Sequence, residues 1–144
     1  MTLYLDTSSA IKLYVLEAGS DVVHALAGDA AVVATSAITY AETRAGLARL
    51  RRDGALTVSK FNAATREFEQ QWPSFLKLDA TEALCRTAGE LAERYRLRGF
   101  DSVHLATFAE VARRAGPRDI RFSSFDDRLN QAAQRLARRL EQQS

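Results

Sequence analysis

Four carboxylates in this chain stand where a plain solvated surface does not account for them. Asp6 closes the apolar run LYL, Glu42 lies inside ITYAETRAGL, Asp101 opens the run in RGFDSVHLA, and Asp126 follows IRFSS by two residues. Carboxylates brought within a few ångströms of one another repel, and without compensation one or more stays protonated. A divalent cation removes that conflict. Hard oxygen donors, with a single cysteine and only His24 and His104 as histidines, suit Mg²⁺ or Mn²⁺, and Mg²⁺ keeps waters that leave room for a phosphate. An ion so held activates water and stabilises charge on a phosphodiester undergoing in-line displacement.

Each acid also has a purely structural explanation. Asp is a favoured N-cap, and Ser or Thr flank Asp6, Asp101 and Asp126. Glu42, at 38+4 and 45−3, borders the apolar face expected of its helix and could simply snorkel at the edge. Asp79 serves as a control, since Asp79-Ala-Thr-Glu82 has the form of a capping box and carries no functional claim. Whether the four acids meet depends on the elements that carry them.

Those elements alternate. LYLD (3–6) and AAVVATS (30–36) read as buried strands, Phe75 to Leu78 as a third and IRFSS (120–124) as the last. Between them fall helices over 8–17, 20–27 closed by Gly28, 37–52 with apolar positions Ile38, Ala41, Ala45 and Ala48, and 58–71. Further helices cover 82 to about 96, 101–115 stopped by Gly116-Pro117, and about 127 onward. This alternation predicts parallel βαβ units in a three-layer α/β domain. Ligands of such sheets bind beyond the carboxyl ends of the strands, where the strand order reverses. Asp6, Asp101 and Asp126 are carried by strand ends or helix starts, so that is where convergence is expected.

Bulk properties set the frame. A length of 144 residues, 47% hydrophobic and 26% charged, fits one soluble globular domain over residues 1–144. No apolar run suggests a membrane span, and MTLYLDTSS lacks the pattern of a signal peptide, so a cytoplasmic protein is expected. The lone Cys85 excludes an intrachain disulfide, fits a reducing compartment, and at helical spacing from Leu84 and Ala88 reads as a small core residue. The formal charge is +2, but seventeen of the twenty basic residues are arginine. Arginine makes bidentate contacts with phosphate; solvated helix faces and helix C-termini explain any one group of them as well.

Other chemistries are poorly supplied. No nucleophile elbow and no P-loop occurs. A metal-free paired-histidine ribonuclease would have to use both His24 and His104. His104, three residues after Asp101, reads as a helix residue held by packing or a hydrogen bond. A receiver-like phosphoacceptor domain also clusters Asp around Mg²⁺, but Lys12, Lys60 and Lys77 do not follow a strand where that chemistry needs one.

The segments LYLDTSS, ITYAETRAGL, GFDSVHLATF and FSSFDDRLNQAA, in this order, together resemble the PIN domain, most closely the VapC-type toxins of bacterial toxin–antitoxin pairs. The resemblance spans residue 3 to about 133. It implies a three-layer α/β/α PIN-like fold around a central parallel sheet, and an endoribonuclease dependent on Mg²⁺ or Mn²⁺. The family's acids carry over to Asp6, Glu42, Asp101 and Asp126, holding the metal and its attacking water; its hydroxyl positions fall on Thr7, Ser8 and Ser124, with Ser8 and Ser124 in supporting roles. It further implies an RNA substrate, a cognate antitoxin protein that blocks the site, and a homodimer.

Two departures stand out. Asp127 directly follows Asp126, and the spacing to Arg128-Leu129 favours Asp126 as the fourth acid. The tail after Leu136, ARRLEQQS, lacks the apolar run that would close the sheet, so a four-stranded sheet is expected, with a fifth strand either missing or replaced by helix. The competing reading is a non-catalytic RNA-binding or scaffolding module on the same fold.

Overall fold

The computed structural model describes all 144 residues. Strands β1 (Thr2–Leu5), β2 (Val32–Ser36), β3 (Leu76–Leu78) and β4 (Ile120–Ser123) form one sheet in the order β3-β2-β1-β4. All three pairings are parallel. Helices α1 (Thr7–Ala10), α2 (Ser20–Asp29), α3 (Ile38–Arg52), α4 (Val58–Gln71), α5 (Glu82–Tyr95), α6 (Gly99–Ala115) and α7 (Asp127–Gln143) supply the crossovers and the last element. None is long and apolar enough to cross a membrane.

The sheet is covered on both faces because side chains alternate along a strand. Tyr4 enters a core built with α5, α6 and α7, including Leu91, Leu105, Phe108, Leu129 and Leu136. Leu3 and Leu5 enter a second core with Leu13, Val23, Leu47, Phe68 and Phe75. This is the expected α/β/α arrangement. α7 continues to Gln143, so helix replaces a fifth strand; its apolar residues Leu129, Ala132, Ala133, Leu136 and Leu140 recur at helical spacing and are all buried.

The strand order places the reversal between β1 and β4. The chain moves from β1 outward to β2 and β3, then returns across the sheet to β4 on the other side of β1. The register pairs Tyr4 with Phe122 and Leu5 with Ser123, and the Asp6 amide extends that ladder by donating to the Ser123 carbonyl at 3.2 Å. Asp6 and Ser124 therefore emerge side by side at the switch point.

Several local expectations are corrected. The helix expected over 8–17 is only Thr7–Ala10 followed by a 3-10 turn at Ile11–Leu13, because Ser20 Oγ captures the next backbone groups, donating to the Val15 carbonyl and accepting from the Glu17 amide. α2 runs past Gly28 to Asp29. The buried stripe of α3 is Thr39, Thr43 and Leu47, not the alanines, and Ala41 and Ala45 are exposed. α5 is capped by Thr81, whose side chain accepts from the Leu84 amide, so Asp79 is no cap. Cys85 is exposed, one position off the stripe through Ala88 and Leu91.

Gly19 has a strict local reason. It holds φ of +92°, and a Cβ there would stand 2.5 Å from the Phe125 ring. Gly19→Ala is expected to destabilise the protein by about 1–3 kcal/mol, combining left-handed strain with displacement of that ring; thermal unfolding monitored by circular dichroism checks this.

Candidate active site

Asp6 is 4% exposed and caps α1. Its Oδ1 accepts from the Ser8 hydroxyl at 2.7 Å and the Ser9 amide at 3.0 Å, and its Oδ2 accepts from the Ser124 hydroxyl at 2.5 Å. All three donors are neutral. Burial pushes the Asp6 carboxyl up, against the lowering effect of these hydrogen bonds, so in the absence of a cation the site bears the cost of a desolvated charge.

Ser124 ties two acids together. Its oxygen accepts from the Asp126 amide at 3.0 Å while its proton goes to Asp6. Asp126 caps α7 by accepting from the Leu129 amide at 2.9 Å. Its other oxygen faces Arg98 Nη2 at 3.8 Å, and Arg98 Nε donates to Asp101 Oδ2 at 3.2 Å. The Arg98 guanidinium thus lies between Asp101 and Asp126. Asp127 is exposed in the first turn of α7, away from these contacts. Capping and membership of the acidic group prove compatible for Asp6 and Asp126, whereas Asp101 lies inside α6, which Arg98 precedes.

Glu42 is held from a different direction. The Thr7 hydroxyl donates to its Oε1 at 2.5 Å, and His104 Nε2 meets the same oxygen at 2.9 Å. His104 is buried, and its Nδ1 pairs with the Tyr4 hydroxyl at 2.9 Å. Burial drives the Tyr4 phenol well above its usual range, so it keeps its proton; the tautomer that satisfies the chain has Tyr4 donating to Nδ1 and Nε2–H donating to Glu42. Burial raises Glu42, but the hydrogen bonds from His104 and Thr7 outweigh it, leaving the carboxyl below its ordinary value. The sequence reading of His104 as a helix residue held by packing or a hydrogen bond is borne out, but it gave no link to Glu42, and Thr7 stood only at a hydroxyl position. The available signal was spacing: residue 104 falls one turn after Asp101, on the same face of α6.

Glu42 and Asp101 line one open cleft of about 580 Å³ together with Arg98, Gly99, Phe100 and Val103. A second cleft of about 500 Å³ between β3, α5 and α6 contains none of the four acids, and its Arg113 and Arg114 are paired with Glu110. The expected acids are thus linked through Ser124, Arg98 and the shared cleft. As the side chains stand, no three His, Cys, Asp or Glu residues are close enough to hold one ion. The donor chemistry nevertheless fits a hard cation, since all four are oxygen ligands and Asp6 is a buried carboxylate with no cationic side chain bonded to it.

The parallel α/β/α sheet, with Asp6 and Ser124 side by side at its switch point, defines the class of fold. A model of the PIN domain matches residues 3–135, and the chain belongs to the PIN domain family, among proteins named ribonuclease VapC. "Ribonuclease VapC45" of Mycobacterium tuberculosis strain CDC 1551 and "Ribonuclease VapC49" of strain H37Rv are each 36% identical to it over 108 residues, covering 75% of this chain and 75% of theirs. Among solved structures, Mycobacterium tuberculosis VapC20, described as a sarcin-ricin loop cleaving toxin, superposes with a TM-score of 0.64 at 24% identity, over 90% of this chain and 94% of that one. FitAcB from Neisseria gonorrhoeae superposes with a TM-score of 0.65 at 24% identity, over 92% and 93%. These two structures share the fold.

Proposed function

We propose that this chain is an endoribonuclease dependent on Mg²⁺ or Mn²⁺, hydrolysing RNA phosphodiester bonds as the toxin of a toxin–antitoxin pair. The observation that carries the reading is Asp6, a buried carboxylate at the sheet's switch point with only neutral donors bonded to it, coupled through one serine to Asp126. Asp6, Glu42, Asp101 and Asp126 are the residues that would hold the ion. When bound, the ion neutralises their repulsion and supplies electrostatic stabilisation to a phosphodiester under attack by water.

The remaining roles belong to the chain itself. Ser8 and Ser124 fix the orientation of Asp6, and Ser124 sets its spacing to Asp126. His104 and Thr7 hold one oxygen of Glu42 and keep the other available to the cleft. Arg98 is a long, mostly exposed side chain, so it can leave Asp101 and Asp126 to a metal and turn to a phosphate oxygen. The likeness to VapC20 and FitAcB supports a cognate antitoxin as partner, and the homodimer that the family resemblance implies belongs to the same proposal.

One observation favours a second reading. Arg98 now bridges two of the acids, as it would in a non-catalytic RNA-binding module that needs no metal. Incubating purified protein with RNA separates the two: cleavage is expected with Mg²⁺ or Mn²⁺ and is abolished by EDTA. Mapping RNA 5′ ends after expression of wild type and Asp6→Asn then identifies the substrate. Cleavage that continues undiminished in EDTA, or binding in EDTA without cleavage under any metal, rejects the proposal.

A further inference from the structure

Of the seven phenylalanines, five are buried or partly buried and two, Phe100 and Phe125, are exposed at 66% and 45%. Each immediately precedes an acid of the site, Phe100 before Asp101 and Phe125 before Asp126. Neither ring stacks on another aromatic of the chain. A large apolar ring left in water forgoes stabilisation that burial would supply, and one such ring in the cleft of Glu42 and Asp101, with another directly before Asp126, marks a binding surface.

Their settings differ in a useful way. Phe100 lies in the cleft with Glu42, Arg98 and Asp101 and is otherwise unsupported. Phe125 is held in place: its amide donates to Ser8 Oγ at 2.9 Å, the same hydroxyl that donates to Asp6. Gly19 packs under the ring, where any side chain would collide, and Lys12 Nζ sits 4.5 Å from the ring centroid. Each acid-bearing segment thus presents an exposed ring with a cation near it: Arg98 lines the cleft with Phe100, and Lys12, itself paired with Glu17 at 3.0 Å, lies over one face of Phe125 and leaves the other to a ligand. Aromatic rings interleaved with cations are what single-stranded nucleic acid uses, bases stacking on the rings while the cations meet the backbone. A protein partner would also accept apolar rings, but it has no need of a cation paired with each.

Building on the ribonuclease reading, we infer that Phe100 and Phe125 are base-stacking platforms on either side of the acidic site, seating unpaired nucleotides that flank the scissile phosphate, with Arg98 and Lys12 contacting the backbone. The rings select for splayed bases and exclude a continuous duplex. They take no part in bond breaking.

The test is affinity for a short unstructured RNA, measured by fluorescence anisotropy with the full chain carrying Asp6→Asn to prevent turnover. Phe100→Leu and Phe125→Leu, which keep an apolar side chain without a π-face, are each expected to weaken binding about tenfold or more, while Phe100→Trp retains it and shows indole quenching on RNA addition. An oligonucleotide of equal length with abasic sites should bind the Leu variants and their parent alike. Leucine variants that bind RNA like the parent, an equal loss on the abasic strand, or a parent that binds no RNA overturns the inference, whatever the variants do to a protein partner. The ribonuclease reading fails by a separate sign: wild type that leaves RNA intact under Mn²⁺.

Discussion

Replacing Asp6 by Asn is expected to lower RNA cleavage on the order of 10³-fold, because charge stabilisation at a metal site is worth several kcal/mol and each ~1.4 kcal/mol is tenfold in rate. The fold should survive the change. Asparagine Oδ1 still accepts from the Ser9 amide and the Ser8 hydroxyl, and its Nδ2 can donate to Ser124 Oγ in place of the bond now running the other way. Stability gives a readout independent of activity. The folded-state pKa of Asp6 is raised by burial, so its favourable contribution is present below the ordinary carboxylate pKa and is lost as pH rises through the raised value. At neutral pH without metal the ionised group destabilises, and the Asn variant should melt at or above the wild-type temperature. Adding Mg²⁺ or Mn²⁺ should raise the wild-type melting temperature and leave the variant unmoved. A variant with wild-type cleavage, or an equal metal-induced shift in both proteins, would count against Asp6 as a ligand.

His104→Ala should produce the largest loss of stability among site substitutions. It strips the Tyr4 hydroxyl, fully buried between sheet and helix, of its 2.9 Å bond to the imidazole, and it leaves a cavity against the Tyr4 ring on which the imidazole packs edge-on. Loss of a hydrogen bond at a buried hydroxyl costs about 1–3 kcal/mol and the cavity adds to it, so a total near 3 kcal/mol and a drop in melting temperature on the order of 10 °C are expected. Glu42 loses its imidazole partner at the same time. Cleavage should fall about 10- to 100-fold through misplacement of that carboxylate. His104→Gln, which offers a donor to Glu42 and an acceptor to Tyr4, should recover part of both. Full activity in a stably folded His104→Ala protein would remove His104 from any positioning role.

The opposite shifts of the two carboxyls also give a pH signature. Glu42, held below its ordinary value, contributes stability above the normal carboxylate pKa that is lost as pH falls through its lowered folded value. Asp6 behaves in the reverse sense. Acidification therefore relieves one member of the site while it weakens the other, because the first is buried against neutral donors and the second is bonded to an imidazole.

Much of the architecture was legible along the chain. The helix over 58–71 coincides with Val58–Gln71, since Thr57 caps it and Trp72-Pro73 follows it. The strands were visible as short apolar runs, because a parallel sheet covered on both faces buries every residue of a strand such as TLYL. The face of α3 was misread. Apolar periodicity pointed to its alanines, while the structure buries Thr39 and Thr43, and Thr39 satisfies its hydroxyl on Thr35 at 2.7 Å. Polarity alone cannot reveal a threonine whose partner lies on another element. The first helix was overextended for the same reason, since Ser20 intercepts its backbone from outside the segment.

By itself the sequence determined the α/β/α class, the strands and most helix limits, and the four acids with their positions at strand ends or helix edges, because local periodicity and capping chemistry act over a few residues and are written in order. The tertiary structure alone decided which acids become neighbours and through what. Parallel register sets Asp6 beside Ser124, a crossover of the chain brings Arg98 between Asp101 and Asp126, and His104 bonds both Tyr4, 100 positions before it, and Glu42, 62 positions before it. Such contacts depend on strand order and burial, quantities that exist only once distant segments have packed.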